Sequence, residues 1–368
     1  MATSRLHELA AHGVSTWIDS LSREMLETGE LARLMADDAV VGVTSNPTIF
    51  QKALAEGDWY DDQLREAKKE IHDPVELFFT LALEDIRDAC DLFRPVWERT
   101  AGIDGYVSME VDPRIAYDRE AQFAQATRFH KEVDRQNLYV KIPATEPGLG
   151  AIEDSIAAGR SINITLIFSL ERYSAVAEAY VRGLERLVAG GGDPSTVNSV
   201  ASFFVSRVDT EADRRLEEVG GTDLQGKLAV ANAKLAYAHW KETFAGDRWD
   251  FLLSKGARSQ RCLWASTSTK NPAYRDVLYV EELIGRDVVN TMPLETIRAF
   301  QDHGETRETL ETGLAEAQSL LDELARAGVD YDDVVDTLEA EGIEKFIDSF
   351  TNLLGGIEDK VDAVVTTR

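Results

Sequence analysis

The chain has 368 residues, 44% of them hydrophobic and 29% charged, with 39 basic against 66 acidic side chains and a net charge of −27. That length suits one α/β barrel with insertions or two ordinary domains, and no apolar run approaches the roughly 18 residues of a membrane-spanning helix. The acidic excess argues against a nucleic-acid or anionic-membrane partner, and it makes each well-placed cation informative, because an anionic substrate has to be held against a repulsive overall field.

The first thirty residues carry Glu8, Asp19, Glu24 and Glu27 and no apolar core, so no signal peptide is expected and the cytoplasm is the expected location. Cys90 and Cys262 stand far apart without CxxC spacing and read as reduced thiols. The six histidines are scattered without ligand spacing, so neither a metal nor another cofactor is expected.

In chain order, a short helix over 4–12 with Ser4 as its cap leads to a strand over 14–19 that ends on Asp19. A helix around 30–38 precedes a strand-like run over 39–47, closing on Thr44, Ser45 and Asn46 and stopped by Pro47. Mainly helical sequence follows to about 102, including a long helix opened by Asp73-Pro74-Val75-Glu76, with Asp73 as N-cap and Glu76 as its capping-box partner. A strand over 106–113, a helix over 119–134 and the strand 138–144 come next, and here Lys141 interrupts an apolar run. Then follow a helix at 149–159, a strand at 161–168, an amphipathic helix at 170–189 and strand-like residues 199–208. Helical sequence to about 245, strands at 261–267 and 288–293 and a helical remainder complete the chain.

Eight strands alternating with helical segments imply a parallel sheet, and eight such units suit a closed (β/α)8 TIM barrel. A doubly wound open sheet is the alternative. The expected organisation is one domain over 1–368, with helical insertions at about 48–105 and 209–258 and a helical C-terminal cap at about 294–368. The oligomeric state stays open between monomer and homodimer.

Polar side chains gather toward the C-terminal ends of these strands, where barrels carry their chemistry: Asp19, Asn46, Glu110, Lys141, Asn163, Thr165, Ser202 and Ser266. Asn163 and Thr165 are two apart and leave the same face. Each alone has an ordinary explanation, since strand-end Asn, Ser and Thr bond backbone groups and strand-end acids cap helices. Together they form a polar cluster with one lysine and two carboxylates. An apolar surround disfavours an ammonium ion and so favours the neutral amine that Schiff-base chemistry needs. One carboxylate could then move protons on a substrate hydroxyl while the second, with a hydroxyl, manages the carbinolamine water.

The stretches Val-Thr-Ser-Asn-Pro-Thr-Ile-Phe (43–50), Met-Glu-Val-Asp-Pro (109–113), Val-Lys-Ile-Pro-Ala-Thr (140–145), Ile-Asn-Ile-Thr-Leu-Ile-Phe-Ser (162–169) and Ser-Phe-Phe-Val-Ser-Arg-Val-Asp (202–209) resemble transaldolase in order and spacing. The resemblance implies a class I barrel that transfers a dihydroxyacetone unit between sugar phosphates in the non-oxidative pentose phosphate pathway. It implies Lys141 as the Schiff-base lysine, Asp19 as the acid/base at the C4 hydroxyl, and Glu110 with Thr165 as holders of the carbinolamine water. It further implies Asn46, Asn163 and Ser202 as ligands of the three-carbon unit, and Arg207 and Ser266 at the substrate phosphate. Shorter members of the family carry a second arginine close behind that serine. This chain reads Ser266-Thr267-Ser268-Thr269-Lys270-Asn271-Pro272, which leaves Lys270 in that place.

Two rival readings share these parts: a class I aldolase that releases its three-carbon fragment to water, and a sugar-phosphate binding barrel without catalysis. Gly148-Leu149-Gly150-Ala151 lies between a strand and a helix but lacks the third glycine of a dinucleotide loop. The sequon Asn163-Ile164-Thr165 falls in an expected buried strand, which sets glycosylation aside. Phe346 and Phe350 are four apart on the last helix and read as core contacts, with a lesser expectation that one lines the mouth of the site.

Overall fold

A computed structural model describes residues 4–55 and 57–366. Eight parallel strands, β1 (Val14–Ile18), β2 (Val40–Thr44), β3 (Tyr106–Glu110), β4 (Leu138–Pro143), β5 (Ile162–Ile167), β6 (Ser199–Phe204), β7 (Arg261–Ala265) and β8 (Val288–Met292), pair in sequence order. β8 closes on β1, with Val14 opposite Val288 and Ile18 opposite Met292. That pairing makes a closed (β/α)8 barrel and excludes the open sheet.

Alternate residues of each strand fill the interior. Near mid-height Trp17, Tyr106 and Tyr139 pack together, with Tyr139 centred 6.0 Å from Trp17 and 4.1 Å from Tyr106. Gly42 is required by this layer, because a Cβ there would lie 2.5 Å from the Trp17 ring. One step above, the register sets Glu110 beside Lys141 and Lys141 beside Asn163. Below, at the N-terminal end, Arg261 donates to Ser15 Oγ (2.8 Å) and Asp104 Oδ1 (3.0 Å). The lysine therefore stands on an aromatic floor and opens only upward.

Several boundaries differ from the sequence expectation. The run Val205–Val208 is not strand: the last ladder bonds are Val205 N–H to Ala265 O (2.9 Å) and Ser206 N–H to Ser266 O (3.0 Å), and the helix Ser206–Val219 begins there. Arg207 thus belongs to a first helical turn. Ser266 lies just beyond β7 with φ +58°, where the chain leaves the sheet. Pro47 opens the helix Pro47–Ala55 as well as ending the strand run. Asp73 caps its helix by accepting from Val75 N–H at 3.1 Å, but Glu76 is drawn away by Arg128, which grips both its oxygens at 2.7 and 2.6 Å. Ser4 Oγ bonds His7 Nδ1 at 2.9 Å instead of a backbone amide. The glycines at 148 and 150 fall inside the helix Glu146–Ala157, and a Cβ on Gly148 would stand 2.2 Å from Pro143 O, so close packing on β4 explains that glycine.

Two further helices follow the one after β8: Leu314–Ala327 and the long Tyr331–Thr366. The latter passes over the C-terminal ends of the strands, with Gly342 against Phe168 and Leu166. It is tied to the Pro47–Ala55 helix by Thr48 Oγ1 to Ser349 Oγ (3.0 Å) and by Lys360 Nζ to Leu54 O (2.8 Å). Phe350 is buried, 5.5 Å from the Phe78 ring. Among the described residues no helix is long and apolar enough to cross a membrane.

Candidate active site

A cavity of about 360 Å3 opens at the C-terminal end of the barrel. Asp19, Asn46, Lys141, Thr165, Ser202, Arg207, Ser266 and Lys270 all reach its wall, while Glu110 and Asn163 do not line it. β4 delivers Lys141, which is only 6% exposed. Its Nζ donates to Ser45 O at 3.1 Å and lies 3.4 Å from Glu110 Oε1.

Glu110 is the less ordinary of that pair. Apart from Lys141 Nζ, no donor meets either of its buried carboxyl oxygens. Burial pushes its pKa up; the neighbouring Lys141 opposes that push and the negative charge of Asp19 adds to it. The geometry therefore favours a carboxyl that holds or exchanges a proton beside the lysine. Thr165 Oγ1, also buried, has no partner either. Buried polar groups are nearly always satisfied, so adjacent exceptions at the end of a barrel point to atoms kept for a guest.

Asp19 follows β1 directly, and Thr44 at the end of β2 donates to its Oδ1 at 2.8 Å, fixing the carboxylate at the cavity wall. Asn46 Oδ1 accepts from Ile49 N–H at 3.0 Å, so the asparagine both opens a helix and faces the cavity. Asn163 is fully buried; it accepts from Ser202 Oγ at 2.6 Å and donates to Ser108 Oγ at 3.1 Å. It stands behind Ser202 and is not on the wall.

Arg207 supplies the cationic side. Its guanidinium lies 5.0 Å from the Phe204 ring and 5.9 Å from Phe346, and Nη1 is buried without an acceptor. Among the described residues no carboxylate comes within the 4.0 Å of an ion pair. Burial pulls its pKa down, opposed by the fields of Glu110, Asp19 and Glu341. A desolvated, unpaired guanidinium is a ready oxyanion ligand. Ser266 Oγ is 2.9 Å from Ser206 Oγ at the start of the same helix. Lys270 is exposed, with Nζ 2.6 Å from Ser268 Oγ. Its loop is tied to the Arg207 helix by Tyr274 donating to Asp213 (2.6 Å) and Tyr279 to Asp209 (2.9 Å).

The structure adds residues to which sequence reasoning gave no role. Thr44 orients Asp19, and its parity with Gly42 on β2 was the available signal. Lys52 reaches the cavity from the Pro47–Ala55 helix, one turn beyond Thr48 on the same face. Phe346 forms part of the rim while Phe350 goes into the core, so the two rings divide the roles considered for them. Among the described residues no group of three or more His, Cys, Asp or Glu side chains could hold a metal ion.

Parallel eight-stranded barrels carry their active sites at this end, and a mouth with a buried amine, two carboxyl groups and a free guanidinium places the chain among barrel enzymes that act on small anionic molecules. The model of the family described as Transaldolase/Fructose-6-phosphate aldolase matches residues 16–357. The chain is 54% identical over 358 residues to the protein named Transaldolase of Acidothermus cellulolyticus, covering 96% of each chain. It is 51% identical over 361 residues to that of Saccharopolyspora erythraea, covering 98% of each. With that of Thermobifida fusca the identity is 50% over 364 residues, covering 98% of this chain and 99% of the other. The chain belongs to the transaldolase/fructose-6-phosphate aldolase family.

Proposed function

We propose that the chain is a transaldolase of the non-oxidative pentose phosphate pathway. It moves a dihydroxyacetone unit from sedoheptulose 7-phosphate or fructose 6-phosphate to glyceraldehyde 3-phosphate or erythrose 4-phosphate. The observation that carries this reading is the Lys141 amine, buried at the base of the cavity 3.4 Å from a carboxyl that burial pushes toward its neutral form.

In its unprotonated form the Lys141 amine adds to C2 of the ketose; the nitrogen gives up a proton and the C2 oxygen takes one up, which leaves a carbinolamine. A second proton delivered to that oxygen releases water and leaves an iminium. Glu110 is assigned these proton exchanges, and the unpartnered Thr165 hydroxyl the holding of the water. Asp19, aimed by Thr44, takes the C4 hydroxyl proton as the C3–C4 bond breaks. The bonding pair passes to C3 and into the iminium as an enamine, and the aldose phosphate departs. C3 of the enamine then attacks the acceptor aldehyde, Asp19 returns its proton to the new hydroxyl, and water hydrolyses the iminium to free the product.

Arg207, Ser266 and Lys270 are assigned to the phosphate. Asn46 and Ser202 are assigned to hydroxyls of the three-carbon unit, with Asn163 holding Ser202 in place. Charged sugar phosphates do not cross a bilayer unaided, which supports a cytoplasmic location.

Borohydride reduction with fructose 6-phosphate present, followed by peptide mass spectrometry, tests the mechanism. A three-carbon adduct on the Lys141 peptide is expected. Folded, sugar-binding protein without any adduct would sink it. The aldolase reading is kept because the family description names that activity as well. Erythrose 4-phosphate separates the two, since it accelerates fructose 6-phosphate turnover strongly for a transferase and little for an aldolase.

A further inference from the structure

On the face opposite the active site, a second cavity of about 350 Å3 opens among the segments that lead into β3 to β7. Trp97 and Gly102 approach it ahead of β3, Arg135 ahead of β4, Ser161 ahead of β5, Asn198 ahead of β6 and Arg258 ahead of β7. Among the described residues no Asp or Glu lines it, in a chain whose acids outnumber its bases 66 to 39. Its volume is at the lower end of small-molecule sites, roughly 300–1,000 Å3.

The cations on this wall are not equivalent. Arg135 is matched by Asp91, to which Nε and Nη2 donate at 2.5 and 2.9 Å. His130 bonds Ser161 O at 3.0 Å, and burial pushes its pKa down to about 4, so it brings no charge. Arg258 is the one left over. Its Nη2 donates to Ala101 O at 2.6 Å, and its Nη1 is buried without an acceptor. Trp97 Nε1 is buried and meets no acceptor in full hydrogen-bond geometry; it approaches the Tyr106 hydroxyl, which is also engaged by Gly102 O at 3.0 Å and Asn198 Nδ2 at 2.7 Å.

Arg258 Nη1 and Trp97 Nε1 converge on one place. A Cβ built on Gly102 would stand 3.3 Å from Arg258 Nη1 and 3.3 Å from Trp97 Nε1. The glycine, at φ +76°, keeps that space open. A buried guanidinium N–H with no carboxylate is the same signature that Arg207 shows at the mouth. We propose that this cavity is a second binding site, which takes a small molecule through an oxyanion headgroup, phosphate or carboxylate, accepting from Arg258 Nη1–H and Trp97 Nε1–H.

Equilibrium dialysis of labelled inorganic phosphate against the full chain tests this. The work uses an Arg207→Ala background, so that retained binding reports the second face; the comparison then runs between proteins that differ only there, whatever the mouth binds. One saturable phosphate per chain is expected. Added Arg258→Met should raise its Kd about tenfold or more, the loss of a charge-assisted bond. Added Trp97→Phe, which keeps the packing and loses one N–H, should raise it severalfold. Displacement by succinate extends the class to carboxylates, and its failure narrows the class to phosphates. Arg258→Met alone should leave sugar-phosphate turnover within about twofold. No saturable binding in the Arg207→Ala protein, or one Kd shared by all three proteins, would overturn the proposal.

Discussion

At the N-terminal end of the barrel interior, Arg261 is enclosed and matched, by Asp104 at 3.0 Å, Ser15 at 2.8 Å and Ile103 O at 2.6 Å. At the C-terminal end Glu110 Oε2, Thr165 Oγ1 and Arg207 Nη1 are buried without partners. The two ends share one set of strands and similar burial. Arg261 and this group differ in whether their polar atoms are answered by protein. Where they are answered, the group stabilises the fold; where they are not, it is held ready for something that arrives.

The largest test of that contrast exchanges a lysine and an arginine for methionine. Lys141→Met should lower turnover by about 10⁴-fold or more, yet shift stability by no more than about 1 kcal/mol, because Glu110 can meet the loss by keeping a proton. Arg261→Met should do the reverse. It leaves Asp104 without its cation in a largely buried site, at a cost of about 3–5 kcal/mol, with kcat/KM of the folded fraction retained. Denaturant titration beside a coupled assay reads both, and parallel losses in the two variants would erase the distinction.

Asp19→Asn comes next. Its turnover should fall by roughly 10²–10⁴, while the borohydride adduct at Lys141 still forms with a ketose phosphate, because imine formation precedes the step assigned to Asp19. A variant with wild-type turnover would remove Asp19 from the chemistry.

Within the mouth, Arg207 and Lys270 can be ranked. Removing the buried guanidinium should cost about 1.5–3 kcal/mol of binding, read as a KM rise of more than tenfold for phosphorylated substrates and little for unphosphorylated analogues. Lys270→Ala, at an exposed site, should cost no more than about 1 kcal/mol. Equal effects would mean that Lys270 folds inward on binding.

The effect most remote from the chemistry concerns Asp209, which anchors the loop carrying Lys270. Burial pushes its carboxyl up to about 7, against an ordinary value of about 3.9. Between those values the native chain holds a proton that the unfolded chain has lost. Its contribution to stability is therefore complete below the ordinary value and falls by about 1.4 kcal/mol per pH unit as pH rises toward 7. Asp209→Asn should flatten that part of the stability profile, and an unchanged slope would assign it to other groups.

Much of this was legible in the sequence because a barrel strand has a period of two. Glu110, Lys141 and Asn163 could be placed on one interior layer once their strands were aligned, and the register does place them side by side. What was not legible depends on contacts between distant segments. Phe-Phe-Val-Ser-Arg-Val reads as one strand, and only the end of the β7 ladder shows that Arg207 begins a helix. Glu76 suits a capping box, but an arginine fifty-two residues away claims it. Nothing near Lys52 marks it as a rim residue, and the spacing of Phe346 and Phe350 did not say which ring reaches the mouth, because those positions depend on two helices meeting over it.

That meeting has a consequence for the order of events during synthesis. The Tyr331–Thr366 helix follows all eight strands in the chain. Domains tend to fold as their segments emerge from the ribosome, so a nascent chain can close its barrel while Phe346 has yet to reach the Arg207 guanidinium. Completion of the mouth then belongs to a late step, and a pool of newly made, barrel-closed chains would gain sugar-phosphate affinity only as that helix docks.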